Sequence, residues 1–176
     1  NTITGSTLQL FPAGGDALTC SNGGSYTITN NITSGETLTV SGTSTLLVTG
    51  SVATGVTINT GITLRGTGTL GALLVNNGAT VWPGTTTTTS DTKGILTVTR
   101  LTMTSGAFLK LRGSINSPLQ TDQVRVTGAG TPVNLGGSTL QLDLYALPGT
   151  YNYTEPLIAL TGGGTFTGNS FAAITE

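Results

Sequence analysis

Histidine is absent from this 176-residue chain, and cysteine, methionine and tryptophan each occur once. Without histidine there is no Ser-His-Asp or Cys-His arrangement and no histidine metal site. Cys20 alone cannot form an internal disulfide. Lacking an imidazole to activate it, it is also a poor nucleophile. Charge is equally scarce: six Lys or Arg and seven Asp or Glu, 7% of the residues, giving a net charge of −1. The basic residues Arg65, Lys93, Arg100, Lys110, Arg112 and Arg125 are scattered. No cationic face is therefore expected, and nucleic acid is not an expected partner. No apolar run approaches the roughly 18 residues of a membrane-spanning helix; the longest strongly apolar one is Ala72 to Val75. A calcium nonapeptide is missing too, since Gly128-Ala-Gly130 and Gly162 to Gly164 carry no Asp ligands.

What the chain does have is a 36% hydrophobic content, with many Val, Ile, Leu and Thr, which argues for a packed β protein rather than disorder. Its length suits one domain with a substantial core. Short apolar bursts alternate with Gly and Asn. Leu73 to Val75, Thr80-Val81, Ile95 to Val98, Leu101 to Met103 and Phe108 to Leu111 each suit a short strand. Asn77-Gly78, Pro83-Gly84 and Ser105-Gly106 suit the turns between them. Val40, Val48 and Val56 fall eight residues apart, with Gly35, Gly42, Gly50, Gly55 and Gly61 as breaks. Strands this short with turns this tight are natural for a coiled solenoid that stacks like residues over like. On that reading Leu, Val and Ile face inward and Thr outward. Gly35 to Leu38, Gly106 to Leu109 and Gly137 to Leu140 occupy similar frames, and G-S-T-L-Q-L occurs at both Gly5–Leu10 and Gly137–Leu142, as if one unit were reused.

The ordered series Gly66 to Gly71 (G-T-G-T-L-G), Leu73 to Val75, Gly78 to Gly84 (G-A-T-V-W-P-G), Gly94 to Val98 and Gly106 to Leu111 resembles the β-strand repeats of bacterial autotransporter passenger regions. The likeness extends through Asp122 to Val126 and Gly137 to Leu144, covering roughly residues 64–168. The resemblance implies a right-handed parallel β-helix serving as a shaft that holds adhesive or toxic modules away from a cell. The family's C-terminal membrane barrel has no counterpart before Glu176, and the chain begins at Asn1 without a leader peptide. The expectation is a processed product or a fragment, either a piece of a shaft or a small free-standing subunit.

The chemistry-bearing candidates are few. Gly66 to Gly71 is a literal G-x-G-x-x-G with Asp91 twenty residues beyond. A dinucleotide site needs a helix there, and the following G-A-L-L-V-N-N-G turns too soon, so solenoid corners are expected. Asp122, Arg125 and Asp143 are the catalytic candidates, because polysaccharide-acting β-helices place Asp and Arg or Lys on neighbouring rungs. General acid–base work needs such groups to converge on one substrate; isolated outer-face charges are the simpler expectation. Trp82 and Tyr26 could stack on a sugar or close against the core. Asn31-Ile-Thr33 and Asn152-Tyr-Thr154 match the glycosylation acceptor.

The expected architecture is therefore all-β, one domain over residues 1–176. Residues 1–24 supply an N-terminal strand and cap (Phe11 to Gly24 turn-rich), 25–147 the rungs, and 148–176 a C-terminal cap built with Tyr151, Tyr153, Phe166 and Phe171. Gly84 to Ser90 and Gly113 to Gln120 are expected excursions, the first proteolytically soft. The alternative architecture is an antiparallel β-sandwich. The expected role is a non-enzymatic extracellular or cell-surface rod or filament subunit, with no cofactor, metal or catalytic residue. It would self-associate end to end or by addition of Asn1–Leu10 as a strand, with a host or glycan receptor possible. The rival is a polysaccharide-acting enzyme or carbohydrate-binding module.

Overall fold

β-branched residues alternating with small polar ones, interrupted every few positions by glycine, produce strands and corners but no helix. In the computed structural model the described residues are 2–3, 7–8, 17–20, 23–29, 31–32, 37–85, 93–114, 120–130, 132–144, 156–167 and 170–175, and every regular element among them is a strand. The chain visits two sheets in a fixed order, once through sheet A and then twice through sheet B. The first pass is β1 (Thr2–Ile3), β2 (Thr7–Leu8) and β3 (Ala17–Cys20), and the second β4 (Ser25–Ile28), β5 (Asn31–Ile32) and β6 (Leu38–Gly42). β7 (Ser44–Val48), β8 (Ser51–Val52) and β9 (Val56–Ile58) make the third. In the next two passes the sheet B strands fuse: β10 (Ile62–Gly66) leads into β11 (Thr69–Val75), and β12 (Thr80–Pro83) into β13 (Ile95–Met103). Then come β14 (Phe108–Ser114), a short β15 (Gln120–Thr121), β16 (Gln123–Val126) and β17 (Val133–Asn134). β18 (Thr139–Leu144), β19 (Ile158–Leu160), β20 (Phe166–Thr167) and β21 (Ala173–Thr175) finish the described chain.

Sheet A runs β1-β4-β7-β10-β12-β14-β18-β21. Sheet B carries two tracks. One is β2-β5-β8-β11-β13-β16-β19; the other is β3-β6-β9-β11-β13-β17-β20. All these pairings are parallel; among the described residues only β14–β15 and the Gly66–Gly84 bridge are antiparallel. This overturns the antiparallel sandwich, because hairpins would have made neighbouring strands run in opposite directions.

Parity sets the core. In β7 the odd positions Thr45 and Leu47 face outward while Ser44, Leu46 and Val48 are buried. The register then stacks Leu46 on Leu64, Leu64 on Val81 and Val81 on Leu109. Inward residues of both sheets meet in one hydrophobic cluster, each large aliphatic contributing about 1.5–3 kcal/mol. In the long strands the parity slips once. Leu70 and Leu73 are both buried across Gly71-Ala72, and Val98 and Leu101 across Thr99-Arg100. At that slip the strand passes from one track of sheet B to the other, β11 pairing with β8 at Thr69–Leu70 and with β9 at Leu73–Val75.

The return from sheet B to sheet A is short. Gly61, Gly78 and Gly106 have φ of 85°, 73° and 79°. They stack, with Gly61 N–H donating to Gly78 C=O at 3.0 Å and Gly78 N–H to Gly106 C=O at 2.9 Å. Beside them Asn76 Nδ2 donates to Asn59 Oδ1 and Asn59 Nδ2 to Ser41 Oγ, both at 2.8 Å. The other corner is variable. Ile62 lies 18 positions after its partner Ser44 and Thr80 17 after Thr63, but Phe108 lies 28 after Thr80 and Ala173 34 after Thr139. The two longest connections, residues 84–94 and 145–157, both run from a sheet A strand to a sheet B strand.

Several expectations change. Ile95–Val98 and Leu101–Met103 are one strand, not two. Phe11–Gly24 contains strand β3 rather than only loop. Leu38 belongs to sheet B, whereas Leu109 and Leu140 belong to sheet A, so the three glycine frames are not equivalent. Likewise Thr7-Leu8 lies in sheet B and its duplicate Thr139-Leu140 in sheet A, so the repeated hexapeptide is not one reused unit. β1 and β2 pair within their own chain, with β4 and β5. Phe166 is 40% exposed and does not close the end, whereas Phe171 packs partly against the core. The Thr tract, most of the second excursion, Tyr151 and Tyr153 lie outside the described residues.

Stacked backbones leave no room for a side chain at some glycines. A Cβ on Gly66, whose φ is 127°, would run into the Val48 carbonyl, whereas one on Gly130 would meet nothing within 4 Å. Gly66→Ala is expected to lose about 2–5 kcal/mol, from strain plus overpacking. Gly130→Ala should lose about 1–2 kcal/mol, the left-handed penalty alone. Urea unfolding of the two variants checks this; equal losses would refute the close stacking at Gly66.

Candidate functional site

Charged side chains gather where sheet A turns into sheet B. Asp122 precedes β16 and is 2% exposed. Arg112, on β14, grips it with both arms of the guanidinium, Nε to Oδ2 at 2.8 Å and a terminal NH2 nitrogen to Oδ1 at 3.2 Å. The Arg112 backbone N–H donates to Oδ2 at 3.2 Å, and the Gly94 N–H to Oδ1 at 2.8 Å. The Asp122 N–H returns a bond to the Arg112 carbonyl at 2.8 Å. One carboxylate thus ties together sheet A and the approaches to β13 and β16. Gly66 and Gly84 exchange backbone hydrogen bonds at 2.9 and 2.8 Å, and Gly113 faces Thr121 in the antiparallel ladder. The cluster closes the necks of both excursions.

A second group lies on the outer side of sheet A. Arg65 is the register partner of Trp82. Its guanidinium carbon sits 4.4 Å from the Trp82 ring centroid, and Lys110 Nζ sits 4.2 Å from it. β10 and β14 flank β12, so the ring is held between two cations. Each such contact is worth about 0.5–2 kcal/mol, depending on desolvation. Burial lowers the Arg65 pKa from its ordinary value; Arg112 lowers it further and Asp122 opposes. Trp82 Nε1 and Thr121 Oγ1 are buried without a hydrogen-bond partner among the described residues. Lys110 also approaches Asp143 at 3.5 Å, with both side chains partly exposed. Beside this pair lies an open cavity of about 220 Å³, lined by Lys110, Gln141, Leu142, Asp143 and Thr175.

The candidates from the sequence separate. Asp122 is spent on Arg112 and Gly94. Arg125 is the half-buried partner of Thr97 and Ala159 in sheet B. Asp143 stands beside Arg112 in the sheet A register and pairs with Lys110. No cleft formed by Asp122, Arg125 and Asp143 together exists. Trp82 offers no free face to a sugar, and Tyr26 packs against the core on the Leu46 column. Gly66 to Gly71 passes from one strand into the next with no helix, so it is no dinucleotide cradle. Among the described residues no three His, Cys, Asp or Glu side chains come together. No helix there is long and apolar enough to cross a membrane.

No family model, curated protein or solved structure matches the chain.

Arg112 and Lys110 were visible only as scattered charges, and no spacing marked them. Parity, however, separates Asp122 from Arg125: Val124 and Val126, of Asp122's parity, are buried, and Arg125 lies on the opposite face. Because Asp122 accepts from a buried guanidinium, its loss strands a charge. Asp122→Ala is expected to destabilise by about 3–5 kcal/mol, whereas Asp143→Ala, which breaks a partly exposed pair, should cost at most about 1 kcal/mol. Denaturant midpoints of the two variants compare them directly.

Proposed function

We propose that this is a structural protein, a segment of a stiff extracellular or cell-surface shaft. Its two sheets form the walls of one continuously wound parallel coil. The observation that carries the reading is the repeated return to the same three tracks in the same order, with backbone pairing to backbone at each return. The stacked Gly61-Gly78-Gly106 corner and the Ser41-Asn59-Asn76 column support it. So does the use of the best-formed polar cluster as an internal tie. The likeness to autotransporter passenger repeats points the same way. In such an architecture each pass contacts only its neighbours, so rigidity comes from repetition.

The carbohydrate reading keeps one specific support. The cavity beside Lys110, Gln141, Asp143 and Thr175 joins an ammonium, an amide, a carboxylate and a hydroxyl in one hollow, a donor and acceptor set suited to sugar hydroxyls. A glycan array separates the two readings. Specific binding abolished by Gln141→Ala, with folding intact, would favour a carbohydrate module over a shaft.

The coil itself is tested by removing one pass. Ser44 and Ile62 occupy equivalent positions, so deleting residues 44–61 joins matching ends. The shortened chain is expected to remain soluble, strand-rich by circular dichroism and cooperative in unfolding, though less stable. Deleting 44–52 instead shifts the sheet allocation of everything that follows and should abolish folding. If the full-pass deletion unfolds as completely as the half-pass deletion, the coil reading is lost.

A further inference from the structure

The stacked corners that return the chain to sheet A are Thr60-Gly61, Asn77-Gly78 and Ser105-Gly106. Each needs a glycine for its left-handed turn. At Gly78 a Cβ would also come 2.9 Å from Thr60 Cγ2. Of the three corners, the middle one carries a carboxamide immediately before its glycine. In an Asn-Gly pair the glycine nitrogen reaches the asparagine Cγ with least hindrance, because no side chain shields it. Asn77 is exposed to water, and exposure alone would make it labile. The peptide joining the two residues, however, is held at both ends. Its carbonyl, on Asn77, accepts from Thr60 Oγ1 at 2.6 Å. Its N–H, on Gly78, donates to the Gly106 carbonyl at 2.9 Å. The Asn77 carboxamide lies against Gly106, where an added Cβ would come 2.6 Å from Oδ1.

We propose that Asn77 is a deamidation site locked by the stacked corner, converted only in copies whose corner has opened. The step is intramolecular. The Gly78 nitrogen gives its proton to solvent and attacks Asn77 Cγ. A new C–N bond forms, the carboxamide nitrogen takes a proton from water and leaves as ammonia, and a succinimide ring remains. Water then adds to either ring carbonyl and opens it, giving aspartate or isoaspartate. Water is the one co-reactant, and nothing is oxidised or reduced. In the closed corner two requirements fail. The Gly78 proton is engaged by Gly106 and is not available to solvent. The peptide plane cannot rotate toward Cγ without breaking its bonds to the passes on both sides. The conversion is also one-way. Aspartate puts a carboxylate against Gly106. Isoaspartate runs the chain through Cβ and Cγ and lengthens it by a methylene, so the Gly61-Gly78-Gly106 ladder no longer fits. The site therefore records opening of the corner. The proposal rests on the geometry of this ladder and stands whether or not the chain is a shaft.

The test follows Asn77 in the full chain at mildly alkaline pH, folded and in urea. Peptide mapping with isoaspartate detection keeps it apart from the chain's other Asn-Gly pair, Asn22-Gly23. Conversion in urea is expected to be about tenfold faster or more, because the folded rate is scaled down by the fraction of open corner. Hydrogen exchange at the Gly78 amide measures that fraction independently, and both rates should be slowed by the same factor. Thr60→Val removes the hydroxyl bond to the Asn77 carbonyl and, at an exposed position, should keep the strand signal in circular dichroism. It should speed conversion in the folded chain by about threefold or more, the worth of one hydrogen bond, and leave the rate in urea unchanged. Gly106→Ala, which drives a methyl into the carboxamide, should speed it further. A folded chain that converts Asn77 as fast as the unfolded one overturns the proposal. So does a slow rate that a natively folded Thr60→Val leaves unchanged, or a Gly78 amide that exchanges freely while Asn77 stays intact.

Discussion

The parallel backbone ladder is the constraint from which the rest follows. Parallel neighbours cannot be joined by a hairpin. Each pass must leave the sheet, cross to the other and come back to the same place one strand further on. The side with no slack is the return to sheet A. There the chain closes in a few residues, so backbone must lie directly on backbone at Gly61, Gly78 and Gly106, where a left-handed turn is needed each time. The polar groups exposed by such a turn need partners. Backbone groups of neighbouring passes supply them, Gly61 to Gly78 and Gly78 to Gly106, and beside them the Asn59 and Asn76 side chains bond to Ser41 and Asn59 of the pass before, which makes one corner a continuous hydrogen-bonded column. The other corner can lengthen without disturbing the ladder, because the entropy of a longer loop grows only slowly with its length.

Lengthening has one requirement: the two stems must be held where a short connection would have put them. Arg112 and Asp122 do this. A buried ion pair is a weak source of net stability, because desolvation offsets attraction. Its worth here is geometric: a carboxylate fixed by a two-armed guanidinium and two backbone N–H groups accepts only one arrangement of three segments. The chain resumes in register on both sheets after the detour, as Lys110 on Gln141 and Leu96 on Val124 show. Asp122, one of the three catalytic candidates in the sequence, here ties three segments together.

Much of the architecture was legible because glycine and parity act locally. Asn77-Gly78 and Ser105-Gly106 announce turns by their backbone needs, and alternation in Ser44–Val48 announces a face. Allocation between sheets was not legible. G-S-T-L-Q-L satisfies either sheet equally, since each asks only for alternate aliphatics, and its two copies went to different ones. The single parity slip at Gly71-Ala72 and Thr99-Arg100 was also hidden, which made one long strand read as two. The Arg112–Asp122 clamp was invisible for a deeper reason. The residues stand ten apart with an excursion between them, and only the three-dimensional register brings them together. Asp122 and Arg125 stand three apart, and an odd separation in extended chain puts them on opposite faces.

The scarcity of charge has its explanation in the same ladder. Stacking in register places each side chain about 4.8 Å from its counterparts above and below. Two like charges at that distance repel by about 1 kcal/mol in water and by several at the lower effective dielectric of a protein surface. A column of charge is therefore self-defeating, whereas threonine and asparagine stack without limit, as Thr45 on Thr63 on Thr80 does. Where cations do share a column they are kept apart by something that attracts both: the Trp82 ring lies between Arg65 and Lys110. The next residue on that column is the neutral Gln141, followed by Thr175. A composition poor in charge is thus what repeated in-register stacking favours. Arg125, between Thr97 and Ala159, and Arg100, opposite Ala72, have neutral neighbours in their columns.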